Sequence, residues 1–514
     1  MEASFKPVIA VLDFGSQYSH LIVRRIREQG VHAELFPHTV PVTTLASFKG
    51  IILSGGPQNL SASDALRVDA KIFELGIPIL GICYGMQLMA FELGGKVEAG
   101  DTKEYGHADV SVTRDSALFA GLEKNQHTWM SHGDTVTKAP AGFSVTAVSG
   151  ACAIAAMEDA ARRLYGIQFH PEVAHTVNGQ KIIENFLHSA SAPKTWKLGE
   201  GWIQHAVDTI KEKANEGRAV CALSGGVDST VAAYLVHRAI GKRLTCVYVD
   251  TGLMRLGETE QIKKTFSTIP DLDFRVIEAE TLFLERLDGV TDPEKKRKSI
   301  GETFINLFET EAKKMDDVKW LVQGTLYTDA ITSGVSVGGK ASVIKSHHNV
   351  GGLPEHLPFT LIEPLRDLYK DEVRKIGTAL GVPEEIVFRQ PFPGPGLAVR
   401  IIGAVTKEKL TMLRRADWIL REELEQRGLH KDIQQYLAAL PDVRSVGVQG
   451  DARTYGHPII IRAVTTSDFM TADWARIPYD ALAAISTRIT NEVPGVNRVV
   501  YDITSKPPGT VEWE

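Results

Sequence analysis

A chain of 514 residues is longer than one hydrophobic core organises, because cores stop growing near about 250–300 residues, so two or three domains are expected. With 43% apolar residues, 23% charged residues and a net charge of −6, the composition is that of an ordinary globular protein. It excludes the basic footprint of nucleic-acid binding or of an anionic membrane surface. Four cysteines (Cys83, Cys152, Cys221 and Cys246) show neither zinc-ribbon nor C-x-x-C spacing, the N-terminus lacks a basic leader, and no apolar run reaches the ~18 residues of a membrane span, so a reducing, cytoplasmic setting is expected.

In chain order, residues 7–190 alternate apolar runs with amphipathic helical stretches. PVIAVLDFG, GIILSGG and IPILGIC each end in a glycine or a small turn residue, the pattern of a doubly wound parallel sheet. The polar stretch SASAPKTWKLGE separates this segment from a second α/β pattern, with a helix expected over 201–216, a buried strand over 218–223, a helix over 228–240 and a strand over 242–249. RQPFPGPGL at 389–397 carries three prolines and reads as a connector. Beyond it, a helix over 407–428, strands over 444–448, 458–464 and 496–503, and a helix over 478–491 make a small α+β module. The expected division is 1–195, 196–389 and 390–514.

GICYGMQ places Cys83 at a turn between a strand and a helix, where a nucleophile is exposed and helix N-terminal amides favour the thiolate. A lone cysteine is more often structural. The string GIQFHPE changes that balance: His170 at a strand end can take a proton from Cys83 and return it to leaving ammonia, with Glu172 holding the imidazole tautomer. On these two motifs, residues 7–190 resemble the class I glutamine amidotransferases. The resemblance implies a Cys83–His170–Glu172 triad acting through a glutamyl thioester. It also implies oxyanion-hole amides at Gly56 and Tyr84, and glutamine recognition at Gln87 and at Ser131, His132, Gly133 and Asp134.

SGGVDST follows a strand and opens a helix. Gly225 and Gly226 let amides close around phosphate, Ser224, Ser229 and Thr230 offer hydroxyls, Val227 belongs to the same ATP-binding loop, and Asp228 can take a magnesium ion bridging phosphates. Lacking the lysine of G-x-x-x-x-G-K-[ST], the loop resembles that of the ATP pyrophosphatases, which implies adenylyl transfer with release of pyrophosphate.

Further strings resemble one family. VIKSHHNVGG at 343–352 is similar to a mobile lid, with Lys345 directed at ATP and His347, His348 and Asn349 adding polar groups. Arg297 in EKKRKSIGETF, Asp451 and Arg453 in VQGDARTYG, and Lys506 and Glu512 in the terminal KPPGTVEWE resemble contacts to a purine nucleotide. A class I glutaminase upstream of an adenylating loop distinguishes the chain from NAD synthetases, whose glutaminase is nitrilase-type, and from asparagine synthetases, which use an N-terminal cysteine. The resemblance is to the GMP synthetase family. It implies glutamine-dependent amination of XMP to GMP through adenylyl-XMP, with ATP and Mg2+, and a homodimer formed through residues 390–514. The runner-up is an amidotransferase-ligase with another acceptor. A binding scaffold without catalysis is opposed by the intact Cys83, His170, Glu172 and SGGVDST.

Overall fold

The protein is described by a computed structural model covering residues 6–16, 18–60, 62, 65–332, 359–466 and 471–514. Lys345, His347, His348, Asn349, Gly351 and Gly352, the expected lid residues, lie outside the described residues. By its contacts the chain forms two compact units, one running to Trp202 with the short helix Tyr327–Thr332, the other holding the remaining described residues from Ile203.

The first unit is built on a nine-stranded sheet. Five parallel strands form its core: β1 (Ile9–Asp13), β2 (Ala33–Pro37), β3 (Gly50–Leu53), β4 (Ile79–Ile82) and β9 (Leu164–Ile167), in the order β2-β1-β3-β4-β9. β1, β3, β4 and β9 are buried throughout, as strands covered on both faces must be. The helix Ser19–Glu28 packs one apolar stripe inward through Ile22, Val23 and Ile26. An antiparallel wing continues the sheet beyond β9: β8 (Ala156–Asp159), β7 (Ser144–Ser149), β5 (Lys96–Val112) and β6 (Asn125–Lys138). The alternation of helix and strand read from the sequence does not contain this wing. Its long β5–β6 hairpin is polar and half-exposed and carries no continuous apolar run.

The second unit contains a five-stranded, wholly parallel sheet of β10 (Arg218–Leu223), β11 (Leu244–Asp250), β12 (Asp273–Glu278), β13 (Val318–Val322) and β14 (Thr360–Ile362). Their order is β12-β11-β10-β13-β14. The chain therefore winds outward from β10 on one side and returns to the other, leaving a switch point between β10 and β13, where α/β sheets bind ligands. The expected strand at 218–223 matches β10, and the helix expected from 228 begins one residue earlier, as Val227–Ile240.

A second sheet of this unit comprises β15 (Ile401–Ile402), β16 (Gln435–Pro441), β17 (Ser445–Gln449), β18 (Ala452–Thr465), β19 (Asp473–Trp474) and β20 (Val496–Asp502), with β18 pairing β16, β17, β19 and β20. The helices Lys407–Gln426 and Tyr479–Glu492 bury Leu413, Leu420, Ile485 and Ile489 against it. The same buried cluster takes in Leu253, Phe283 and Ile300, so the two sheets of this unit share a core. Strand β16 is absent from the sequence reading because QYLAALP is mostly apolar, is buried almost throughout, and lacks the two-residue alternation of a half-exposed strand.

Candidate functional site

The first site forms at the C-terminal edge of the parallel strands. Ile82 of β4 pairs in register with Ile167 of β9, so the residues that follow them, Cys83 and Gln168, emerge side by side, and the Cys83 amide donates to the Ile167 carbonyl at 2.8 Å. Cys83 precedes the helix Tyr84–Glu92 with φ of 52°, a left-handed conformation that costs a non-glycine residue about 1–3 kcal/mol and persists only where surroundings impose it. The two glycines of G-I-C-Y-G impose it. A Cβ on Gly85 would lie 2.3 Å from the Leu53 carbonyl oxygen, and one on Gly81 would lie 2.6 Å from the backbone of Gly85. Only bare backbone lets the elbow close this tightly.

Gln168 donates to the Cys83 sulfur at 3.6 Å, and the thiol faces the Ser131 carbonyl at 3.7 Å. His170 is buried, and the Cys83 thiol is among the groups that act on its pKa. Its Nδ1 lies 2.7 Å from Oε1 of Glu172, which is fully buried. Burial alone would lower the imidazole pKa. The Glu172 charge and the hydrogen bonds with Cys83 and Glu172 override it and hold the pKa well above the usual value. The thiol thus has a proton acceptor, and the acceptor has a buried anion that favours its charged form. Thr176 donates to the His170 carbonyl at 2.6 Å and Arg25 to the Glu172 carbonyl at 3.0 Å, anchoring the loop between them.

The other residues predicted for this site surround that core. A Cβ on Gly56 would lie 2.9 Å from the Phe14 carbonyl and 3.3 Å from the Tyr84 ring, so the SGGP turn abuts the elbow. The Tyr84 hydroxyl donates to the Leu66 carbonyl at 2.7 Å, and burial pushes its pKa up to about 12. Gln87 donates to the Asp134 carbonyl at 2.7 Å, tying the helix after Cys83 to β6. His132, on β6 with Ser131 and Gly133, points Nδ1 at the Asp134 carbonyl at 3.0 Å and Nε2 at Glu104 at 3.1 Å. The sequence reading passed over Gln168 and Glu104. Gln168 sits inside the quoted GIQFHPE string, two residues before His170, and a polar amide between Ile167 and Phe169 was the available signal. Glu104 lies on β5 and only strand pairing brings it to His132.

The second site occupies the switch point. The Ser224–Thr230 loop follows β10 and runs into the helix Val227–Ile240. Gly225 has φ of 74°, and a Cβ there would meet Ile262 at 2.3 Å. The Ser229 hydroxyl lies 3.1 Å from that of Ser224, Thr230 donates to the Gly226 carbonyl at 2.9 Å, and Arg389 donates to the Gly225 carbonyl at 2.6 Å. Asp228 in the first helical turn pairs with Lys370, a cation that the sequence reading did not attach to this loop. The loop after β13 approaches as closely: a Cβ on Gly324 would lie 2.9 Å from the Asp228 backbone.

The residues expected to contact the nucleotide are spread over this unit. Arg297 lies on the helix Pro293–Ala312 and pairs with Glu294. Asp451 sits in the exposed turn between β17 and β18, and Arg453 lies on β18, exposed and paired with Val448. Lys506 bridges Ala472 through its backbone, and Glu512 accepts two hydrogen bonds from Arg400 and one from Gln435. The terminal residues thus fold back onto the sheet, with Thr510, Glu512 and Trp513 lining a cavity of about 460 Å³ beside β20.

A thiol on a strand-to-helix elbow, faced by a buried His–Glu pair from the next parallel strand, is the arrangement of a class I amidotransferase, and residues 10–190 match the family described as glutamine amidotransferase class-I. Residues 214–389 match the thiamine biosynthesis protein (ThiI) family, and residues 422–513 match the GMP synthase C terminal domain. Over 510 residues the chain is 58% identical to GMP synthase [glutamine-hydrolyzing] of Geobacillus kaustophilus, covering 99% of both chains. It is 55% identical to the protein of that name from Listeria monocytogenes, covering 98% of each, and 55% identical to the one from Symbiobacterium thermophilum, covering 99% of each. The chain belongs to the family of glutamine-hydrolysing GMP synthases, and is accordingly a ligase. Among the described residues, no helix is long and apolar enough to cross a membrane.

Proposed function

We propose that the chain converts XMP to GMP with nitrogen from glutamine, dividing the chemistry between two sites. At the first, the Cys83 thiolate attacks the glutamine amide carbon. The oxyanion that forms accepts hydrogen bonds from the backbone of Gly56 and Tyr84. His170 passes the thiol proton to the departing nitrogen, releasing ammonia and leaving a glutamyl thioester, which water hydrolyses to glutamate with His170 now taking the proton. Glu172 keeps the imidazole oriented and stabilises its charged form. The observation that carries this reading is the buried His170–Glu172 contact at 2.7 Å beside the strained Cys83 elbow.

At the second site, ATP binds to the loop from Ser224 through Gly225, Gly226, Val227, Asp228 and Ser229 to Thr230, with Lys345 directed at its phosphates. The O2 oxygen of XMP attacks the α-phosphorus, and pyrophosphate leaves. Ammonia then adds at C2 of adenylyl-XMP and AMP departs. Adenylation is required because a urea-like carbonyl oxygen is a poor leaving group. Mg2+ fits the donor set: one carboxylate, Asp228, together with substrate phosphates is how this ion is commonly held, and no group of three or more acidic, histidine or cysteine residues able to cage a metal occurs among the described residues. When bound it neutralises phosphate charge. Arg297, Asp451, Arg453, Lys506 and Glu512 recognise XMP in this reading. The division into 1–195, 196–389 and 390–514, a homodimer formed through the last segment, and a cytoplasmic location belong to the same proposal. Incubation with XMP, ATP, Mg2+ and glutamine, scoring GMP, AMP, pyrophosphate and glutamate, tests it. Stoichiometric appearance of all four is expected. ADP and phosphate in place of AMP and pyrophosphate would overturn the adenylation step.

A further inference from the structure

The connector RQPFPGPGL, which touches the second site only through Arg389, runs beside a buried row of charges. Arg389, whose Nη1 holds the Gly225 carbonyl of the phosphate loop, gives its Nη2 to Glu258 at 2.6 Å. Glu258 also faces Arg255 at 3.5 Å, and Arg255 faces Asp417 at 3.3 Å. The other oxygen of Asp417 lies 3.6 Å from Arg400, and Arg400 reaches the Glu512 carboxylate with Nε at 3.0 Å and Nη2 at 2.8 Å. The side chains of Asp417 and Arg400 are fully buried, and that of Arg255 is 1% exposed. The Phe392 ring stands under three of the guanidiniums, 4.5 Å from Arg255, 5.1 Å from Arg400 and 5.4 Å from Arg389.

Stability does not explain such a row. Burying ions costs more than their pairing commonly returns, and an apolar cluster of the same volume would hold the fold as well. What ions provide is direction. A guanidinium gripping a carboxylate through two parallel bonds fixes the carboxylate plane as no apolar contact can. Arg400 is itself aimed by Asp417, which accepts from the Ala438 amide at 3.3 Å and is thereby tied to β16. Glu512 has about four acceptor positions, of which Arg400 and Gln435 use three. One remains for a donor, at the edge of the cavity beside β20.

We propose that Arg400, aimed by Asp417, is the positioning residue for acceptor recognition: it fixes the Glu512 carboxylate so that its remaining lone pair meets an N–H of the purine base. The inference rests on the reading that the terminal tail contacts XMP. Arg400 acts through Glu512, so its effect on the acceptor vanishes when Glu512 can no longer receive it.

The experiment uses the full chain, with GMP synthesis from ammonium measured while XMP and then ATP are titrated, for Arg400→Lys, Asp417→Asn, Glu512→Gln and the Arg400→Lys, Glu512→Gln double variant. Loss of a charged contact, a hydrogen bond for Arg400→Lys and Glu512→Gln and the ion pair at 3.6 Å for Asp417→Asn, raises the XMP KM about 10–100-fold in each single variant, leaves the ATP KM within about twofold, and leaves glutamine hydrolysis intact. The double variant is expected to be no worse than the poorer single one, because the two residues form one unit. Multiplying effects in the double variant, or an ATP KM that rises with the XMP KM, would overturn the positioning role. If Glu512→Gln raises the XMP KM while Arg400→Lys does not, the proposal falls and the tail reading stands. If neither changes it, the tail reading falls and takes the proposal with it. Should Arg400→Lys not fold, Gln435→Met removes only the third hydrogen bond to Glu512. A rise of about threefold or more in the XMP KM then supports the proposal, and no change overturns it.

Discussion

His170 and Glu172 are separated in sequence by Pro171 alone, yet their side chains meet, Nδ1 to Oε1 at 2.7 Å, inside the protein. The contact makes the imidazole's charge a property of Glu172. Glu172→Gln keeps the shape and removes the charge, so glutamine hydrolysis should fall by about 100-fold or more, as for a serine-protease triad that loses its carboxylate. Synthesis from ammonium should persist. Hydrolysis within threefold of the parent protein would remove Glu172 from the mechanism.

The same contact has a pH signature. His170 is held well above its ordinary 6.5, so the folded state binds its proton more tightly than the unfolded chain does. The stabilisation is complete below pH about 6.5 and is lost as pH rises through the raised value. The stability gap between the parent protein and Glu172→Gln, read from denaturant unfolding of the first unit, should therefore be largest at mildly acid pH and shrink in alkali. A gap that widens with pH would contradict the direction of the shift. Imidazole titration by NMR provides a second measurement, with the His170 pKa expected to fall in the variant.

Cys83→Ala is expected to abolish synthesis from glutamine while leaving synthesis from concentrated ammonium at mildly alkaline pH near the parent rate. In the proposed division of labour the thiol only liberates ammonia, and the Ser224–Thr230 loop belongs to a different compact unit. A folded variant that makes no GMP from ammonium would refute the division of labour.

Gly85→Ala tests the elbow. The added Cβ has the Leu53 carbonyl carbon at 2.7 Å and the oxygen at 2.3 Å, backbone atoms that cannot rotate aside. Overpacking of this kind costs about 1–3 kcal/mol, and the shift it forces moves Cys83. Lower unfolding midpoints and a loss of glutaminase larger than the loss of ammonium-dependent synthesis are expected. Parent-like values for both would show that the elbow tolerates a side chain.

Asp228→Asn should depress synthesis from glutamine and from ammonium together, by about tenfold or more, because the loop loses the carboxylate that would hold a phosphate-bound divalent ion. Basal glutaminase should survive. Measuring both nitrogen sources side by side separates this from damage at Cys83, and an unchanged ammonium-dependent rate would confine Asp228 to its ion pair with Lys370.

Much of the parallel framework was legible because its strands are short apolar runs stopped by glycine. β10 spans the expected 218–223, and the helix expected at 478–491 appears as Tyr479–Glu492. The motifs were legible for a steric reason: G-I-C-Y-G and SGGVDST contain glycines at 81, 85 and 225 where a side chain would collide with backbone or a neighbouring isoleucine. The β5–β6 hairpin was not legible, since its residues are stabilised by each other across the pairing and not by a local period.

Local sequence by itself therefore determined the turns, the periods and the chemical groups at each turn: a thiol before a helix, an imidazole two residues from a carboxylate, hydroxyls around paired glycines. Tertiary structure alone decided which groups meet. Gln168 reaches Cys83 only through the register of β9 against β4, Glu104 reaches His132 only through β5 against β6, and Glu512 finds Arg400 from 112 residues away. Short-range sterics act between neighbours in the chain and leave their mark in the order of residues. The burial of Arg400 and of the Cys83 site is a property of surfaces that exist only once distant segments have packed, and no window of sequence contains both sides of such a surface.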